Sequence, residues 1–182
     1  MALVRLVRHG HAAAGFSTEV DPGLDELGRA QAAAMAARLA PLGPLALVTS
    51  PLARTRQTAA ALEARWGVAA VVDDRVAEIP SPTDDLTERG AWLSRAMAGT
   101  WAELGDELGA WRDRLVAAVA ELEHDTVVVT HFVAINALVG RARGDDRVMS
   151  VAVDNCSVTT LDTAGGTLAV RELGTTASTE VG

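Results

Sequence analysis

Apolar residues alternate along this chain between two periodicities. Short β-branched runs bounded by turn residues alternate with longer stretches in which apolar side chains recur every three or four positions. Ala2–Val7 (A-L-V-R-L-V) predicts a buried strand that enters a tight turn at Arg8-His9-Gly10. A loop rich in small residues follows over His11–Gly23, and Asp25 then offers an N-cap for a helix to about Leu39, with Glu26 in the first turn. Pro41, Gly43 and Pro44 stop that helix. Leu45–Val48 predicts a second buried strand, Pro51 suits the first turn of a helix through about Trp66, and Val68–Val72 predicts a third strand. Strand and helix therefore alternate through the first seventy residues. That alternation predicts an α/β fold, with a mostly parallel central sheet between two layers of helices.

From Asp73 to about Asp106 the pattern blurs into Pro80, Pro82, acidic residues and glycines, with one helix over about Leu86–Ala98. A further helix over about Glu107–Glu123 places Leu108, Trp111, Leu115, Val119 and Leu122 close to helical period, and His124 follows near its C-terminal end. Thr126–Val129 predicts a fourth strand ending at Thr130-His131, followed by a helix over Val133–Arg143. Two last strands, near Ser157–Leu161 and Leu168–Glu172, are joined through Gly165-Gly166 as a hairpin. Residues 1–174 are expected to form a single domain and 175–182 a polar tail.

Composition narrows the function classes. With 182 residues, 49% hydrophobic and 22% charged, the chain has enough apolar content to exclude disorder, and the single Cys156 excludes a disulfide framework. Acidic residues outnumber basic ones 24 to 16 for a net charge of −8, and every basic residue is arginine. Nucleic-acid and anionic-membrane binding both need clustered positive charge, so neither partner is expected. The N-terminus has no basic-then-apolar leader, and no apolar run approaches the roughly 20 residues of a membrane span. These features point to a reduced, cytoplasmic protein.

In an open α/β sheet, ligands bind beyond the carboxyl ends of the strands. Three predicted strands deliver polar groups there: Arg8-His9-Gly10, then Ser50 and Arg54, then His131. Two arginines and two histidines converging suit a dianionic phosphoryl group, because guanidinium forks match phosphate oxygens and stay charged at any working pH. One neutral imidazole can attack phosphorus while a second, protonated one stabilises charge. Gly10 would let backbone N–H groups approach the anion closely.

Val7-Arg8-His9-Gly10 after an opening strand, Asp21…Leu24…Leu27-Gly28…Gln31-Ala32, and Ser50-Pro51-Leu52-Ala53-Arg54-Thr55…Gln57-Thr58-Ala59 resemble the histidine phosphatase (phosphoglycerate mutase-like) superfamily. Thr130-His131 follows in the expected order. The resemblance implies a phosphoglycerate mutase-like fold and a cofactor-independent, metal-independent phosphatase acting on a small phosphorylated substrate. It implies His9 as the nucleophile that becomes phosphohistidine. Arg8, Arg54 and His131 would surround the phosphoryl oxygens, and Glu78 would be the acid that protonates the leaving oxygen and later activates water. Two other activities fit the same motifs: a protein-phosphohistidine phosphatase, and a non-catalytic phosphoester-binding domain.

The chain departs from the family pattern at several positions. His11-Ala12 stands where members often carry Glu-Thr, Gly15 where many have Asn, and Phe132 where Gly is frequent. Glu78 is followed by Ile79-Pro80-Ser81-Pro82 rather than Gly and an aromatic residue, so Asp84, Asp85 and Glu88 remain alternative proton donors. His9 and His11 have H-x-H spacing but no evident third ligand, which leaves His11 at the pocket edge or in solvent. Cys156 reads as a buried small residue, and Trp92, Trp101 and Trp111 read as core. The segment holding Trp92 and Trp101, with Arg89, Arg95 and Met97, is expected to cover the pocket. Activity is expected from mildly acidic to neutral pH, with the acidic limb set by protonation of His9.

Overall fold

Strand β4 (Thr126–Thr130), T-V-V-V-T, is buried at every residue and lies near the centre of the sheet. A continuous β-branched run is what a strand covered on both faces requires. The computed structural model describes residues 2–174, so the polar tail over 175–182 lies outside the described residues. The other strands are β1 (Leu3–Arg8), β2 (Ala46–Thr49), β3 (Val71–Val72), β5 (Val158–Asp162) and β6 (Ala169–Glu172), in the order β3-β2-β4-β1-β5-β6. β1, β2, β3 and β4 run parallel, while β5 is antiparallel to β1 and β6 to β5.

Successive side chains of a strand point to opposite faces, and here that alternation divides the core in two. Val127 and Val129 join Val7, Met35, Leu39 and Leu62 under α1 (Glu26–Leu39) and α2 (Ala53–Trp66). Val128 joins Val4, Leu6, Leu115, Ile135 and Leu138 on the opposite face. That face is covered by α3 (Leu86–Ala98), the short α4 (Trp101–Leu104), α5 (Asp106–Ala120) and α6 (Phe132–Arg143). The result is the expected three-layer α/β/α arrangement, with the carboxyl ends of β1, β2 and β4 side by side at one edge.

The helix ends follow local chemistry. The Asp25 carboxylate accepts from the Gly28 N–H (2.7 Å) to cap α1, as the sequence predicts. α2 starts later than expected: Leu52 is its N-cap, and Pro51 precedes the first turn instead of lying in it. Gly67, at φ 66°, closes α2 in the left-handed conformation. The strand expected over Val68–Val72 is formed only at Val71–Val72, because Val68–Ala70 are used to carry the chain away from that cap. α5 ends at Ala120, so His124 lies beyond the helix and not in its last turn. α4 has no counterpart in the sequence pattern. Thr100 and Glu103 form a capping box that starts it, and Trp101 stacks on Trp111 with ring centroids 5.8 Å apart.

Candidate active site

The strand ends bring His9, Ser50, Arg54 and His131 together. His9 follows β1 directly, and its backbone N–H donates to the carbonyl of Thr130 at the end of β4 (3.0 Å), which sets the two histidines side by side. Their rings meet edge to face with centroids 5.3 Å apart. The His9 ring has a defined tautomer. Its Nδ1 lies 2.7 Å from the Gly10 carbonyl, to which only an N–H can donate, and its Nε2 accepts from Arg54 Nε (3.2 Å). Nε2 therefore carries the free electron pair and faces the guanidinium.

Neighbouring groups hold these side chains in place. Asn155 Nδ2 donates to the His9 carbonyl (2.8 Å). Arg8 Nη1 donates to the Val153 carbonyl (2.7 Å), and its guanidinium lies 5.0 Å from the Phe132 ring centre. Arg54 comes from the first turn of α2, where Asp21 accepts from the Ala53 N–H (2.8 Å) and sits 3.9 Å from Arg54 Nη1. His131, the fully buried residue before α6, has Nε2 2.8 Å from Ser50 Oγ, while its buried Nδ1 has no hydrogen-bond partner among the described residues. Asn155 and Asp21 are the anchors that motif reading leaves without a role. The antiparallel pairing of β5 with β1 is the signal for Asn155, because the turn before an antiparallel strand lies at the carboxyl end of its neighbour.

Gly10 serves a different purpose from the expected one. Its N–H donates to Thr58 Oγ1 (3.0 Å), so it is engaged within the fold and does not point at an anion. What position 10 requires is the absence of a side chain: a Cβ there would lie 2.5 Å from the Gly28 carbonyl oxygen, and one on Gly28 2.1 Å from that of His11. The two glycines let the loop carrying His9 press against α1.

Of the four candidate acids, Glu78 is the one that reaches this pocket. Oε1 accepts from Ile79 N (3.0 Å) and Ala134 N (3.3 Å), and Oε2 from Val133 N (3.4 Å), so the carboxylate sits at the N-terminus of α6. Asp85 instead caps α3, Glu88 accepts from Thr83 Oγ1 (3.0 Å), and Asp84 is exposed. None of these three lines the pocket.

Burial dominates the titration of the cluster. It lowers the pKa of His9 to about 3, helped by the Arg54 charge, and it takes His131 well below the ordinary imidazole value. Burial thus favours the neutral form of both rings, and the positive charge expected on His131 has to come from a neighbouring anion. Burial also raises the Glu78 carboxyl above its usual range, against the pull of its backbone hydrogen bonds and of Arg54. Arg8 and Arg54 are lowered by burial but stay cationic at any working pH.

The pocket measures about 480 Å³. Its floor is Arg8, His9, Arg54 and Glu78, and its walls come from the loop after β1 and from Leu93 and Met97 of α3. Trp92 and Trp101, although in the covering segment, pack against the core and leave the lining to Leu93 and Met97. His11 lies at the edge, with Nδ1 2.6 Å from Asp25 Oδ2. Cys156 is buried, and burial pushes its thiol up to about 12, which makes it inert as a nucleophile. A separate hollow of about 390 Å³ between α2 and β3 is lined by Arg56, Gln57 and Glu63 and gathers no comparable set of groups. Among the described residues, no three His, Cys, Asp or Glu side chains are placed to hold a metal ion, and no helix is long and apolar enough to cross a membrane.

Known proteins resemble the chain in sequence and in fold. A protein described as a probable phosphoglycerate mutase, GpmB, from Yersinia enterocolitica is 28% identical over 185 residues, covering 89% of this chain and 85% of the relative. The solved structure of a mycobacterial glucosyl-3-phosphoglycerate phosphatase in complex with VO3 superposes with a TM-score of 0.71 at 27% identity, covering 98% of this chain and 100% of the other. The fold is also that of Bacillus stearothermophilus YhfR, with a TM-score of 0.77 at 21% identity over 94% of this chain and 96% of the other. The family model for the histidine phosphatase superfamily (branch 1) matches residues 4–176, and the chain belongs to that superfamily.

Proposed function

We propose that this protein hydrolyses phosphomonoesters without an added cofactor, through a covalent phosphohistidine on His9. The observation that carries this is the tautomer of His9: Nδ1–H is held by the Gly10 carbonyl, and the Nε2 electron pair is aimed at Arg54. The phosphatase name of the mycobacterial neighbour supports the same reaction class.

On binding, the dianionic phosphoryl group takes over the Arg54 guanidinium and releases His9 Nε2 for attack. The Nε2–P bond forms as the bond from phosphorus to the ester oxygen breaks. The departing oxygen takes the proton of Glu78, whose carboxyl is kept available as an acid by burial. The Nδ1–H bond to Gly10 supports the positive charge that spreads over the phosphorylated ring. Glu78, now a carboxylate, accepts a proton from water as that water attacks phosphorus. His9 leaves with its electron pair restored, and inorganic phosphate departs. Arg8 and Arg54 neutralise the equatorial oxygens, and the dianion beside His131 favours its protonated form. The position of Glu78 favours hydrolysis of esters over the phosphohistidine-phosphatase and binding-domain alternatives, neither of which needs an acid there.

The test is hydrolysis of para-nitrophenyl phosphate by wild type and by His9→Ala. Removing the nucleophile is expected to lower kcat by about 10⁴-fold or more, with circular dichroism unchanged. A His9→Ala protein that retains wild-type turnover would contradict the proposal.

A further inference from the structure

We propose that the substrate's phosphoryl group is its single anionic group and that the body it is attached to is apolar; this deepens, and rests on, the phosphatase function proposed above. The cations lining the pocket are Arg8 and Arg54, and both stand around His9. Away from them the wall is the Ala12–Ala14 run, Phe16 and Val20 on one side and Leu93 and Met97 on the other, with Phe132 under the Arg8 guanidinium between wall and floor. Leu93 and Met97 are four residues apart on α3 and so lie on one face of that helix. Gly90, one turn earlier, has Ser17 where a side chain would be, with a Cβ there 2.8 Å from Ser17 Cβ, which holds the loop and helix walls close together.

The remaining polar groups do not suit a second anion. Glu19 at the rim is a carboxylate and would repel one. The Asn155 amide already donates to His9, and His11 is bound to Asp25. Arg89 lies on the Phe16 ring, its guanidinium carbon 4.3 Å from the ring centre, and does not line the pocket. A second carboxylate or phosphate placed against this wall would lose its water and find no arginine to pair with, whereas an alkyl or aryl body loses nothing by dehydration.

The experiment measures phosphate release by the full chain from methyl, ethyl, butyl and hexyl phosphate and from 3-phosphoglycerate, whose carboxylate adds a second anion. The alkanols are similar leaving groups, so the alkyl series reports the body and not the chemistry. Each added methylene is expected to raise kcat/KM by about fourfold until the pocket is filled, and 3-phosphoglycerate to lag butyl phosphate by at least about tenfold. Leu93→Ser and Met97→Ser should each lower the hexyl-to-methyl ratio, and Arg89→Gln should leave the 3-phosphoglycerate-to-butyl ratio as it is. A flat alkyl series would overturn the proposal. So would a preference for 3-phosphoglycerate that Arg89→Gln abolishes, which would make Arg89 the site of a second anion. Either result leaves the phosphatase function standing, whereas failure to hydrolyse any of the esters removes both.

Discussion

The floor and the walls of the pocket are built on different principles. The floor gathers at the carboxyl ends of the parallel strands, and each of its side chains is fixed by a polar contact to another element: Arg8 to the Val153 carbonyl, His9 to Arg54, Arg54 beside Asp21, and Glu78 to the first N–H groups of α6, while His131, beside His9, is held by Ser50. The walls come from a loop and from α3, touch through van der Waals contact and one arginine–aromatic stack, and carry few polar groups. A floor made this way can serve one reaction with little variation, because a displaced donor misses its oxygen. The walls can change residue by residue without disturbing the chemistry. The proposed reaction and the proposed substrate preference thus rest on separable parts of the fold.

Changes to the floor should cost turnover, and the largest after loss of the nucleophile is expected at Glu78. Glu78→Gln keeps the carboxyl's shape but cannot give a proton, and kcat toward an alkyl phosphate should drop by about 10²–10⁴-fold. Para-nitrophenolate leaves readily, so its ester should suffer less. Because the Glu78 carboxyl is raised by burial, the wild type loses its acid only as pH climbs above the ordinary carboxylate range. The alkaline limb of the alkyl-phosphate profile should therefore disappear in the variant, and a limb that stays in place would assign the acid elsewhere. Arg54→Gln should lower kcat by about 10²–10³-fold, as expected when one preorganised donor is withdrawn from developing charge. A loss confined to KM would mean that Arg54 binds substrate and transition state alike.

His9 and His131 were legible in the sequence because they sit where periodicity ends, whereas Glu78 stood beside Asp84, Asp85 and Glu88 as one of four candidate acids. A buried β-branched run followed by Arg8-His9-Gly10, or by Thr130-His131, announces both the strand and the place where its side chains emerge. The walls were not legible to the same degree. α4 is a four-residue helix too short to show a period, and it is held by its capping box and by Trp101 against Trp111. β3 shrank to two residues because the left-handed Gly67 redirects the chain before an apolar run that looks like a longer strand. Trp92 and Met97 share one segment, and only the phase of α3 decides which meets the core and which the pocket. Gly10 shows a further limit, since one glycine can answer to an anion or to a neighbouring backbone, and only contact with Gly28 tells which.

A smaller effect separates floor from walls by stability. Histidine has a pKa near 6.5 in an unfolded chain, and in the fold His9 is lowered to about 3 and His131 is also lowered. Their neutral forms contribute stability that is fully present above pH 6.5 and lost as pH falls through that window toward the folded values. Each such group should steepen acid destabilisation by about 1.4 kcal/mol per pH unit over the window. Thermal melts between pH 7 and 4 should show a shallower decline for His9→Ala than for wild type. Met97→Ser, in the wall, should leave the slope unchanged. Equal slopes for wild type and His9→Ala would mean that His9 takes up its proton in the fold as readily as in the unfolded chain.

The most direct measurement is the intact mass of the protein milliseconds after mixing with para-nitrophenyl phosphate, quenched in alkali to preserve phosphoramidates, for wild type, Glu78→Gln and His9→Ala. A single phosphoryl adduct on His9 is expected, decaying with phosphate release in wild type, lasting longer in Glu78→Gln, and missing in His9→Ala. Release of nitrophenol by wild type with no adduct at any time, or with an adduct that survives His9→Ala, would contradict a phosphohistidine on His9.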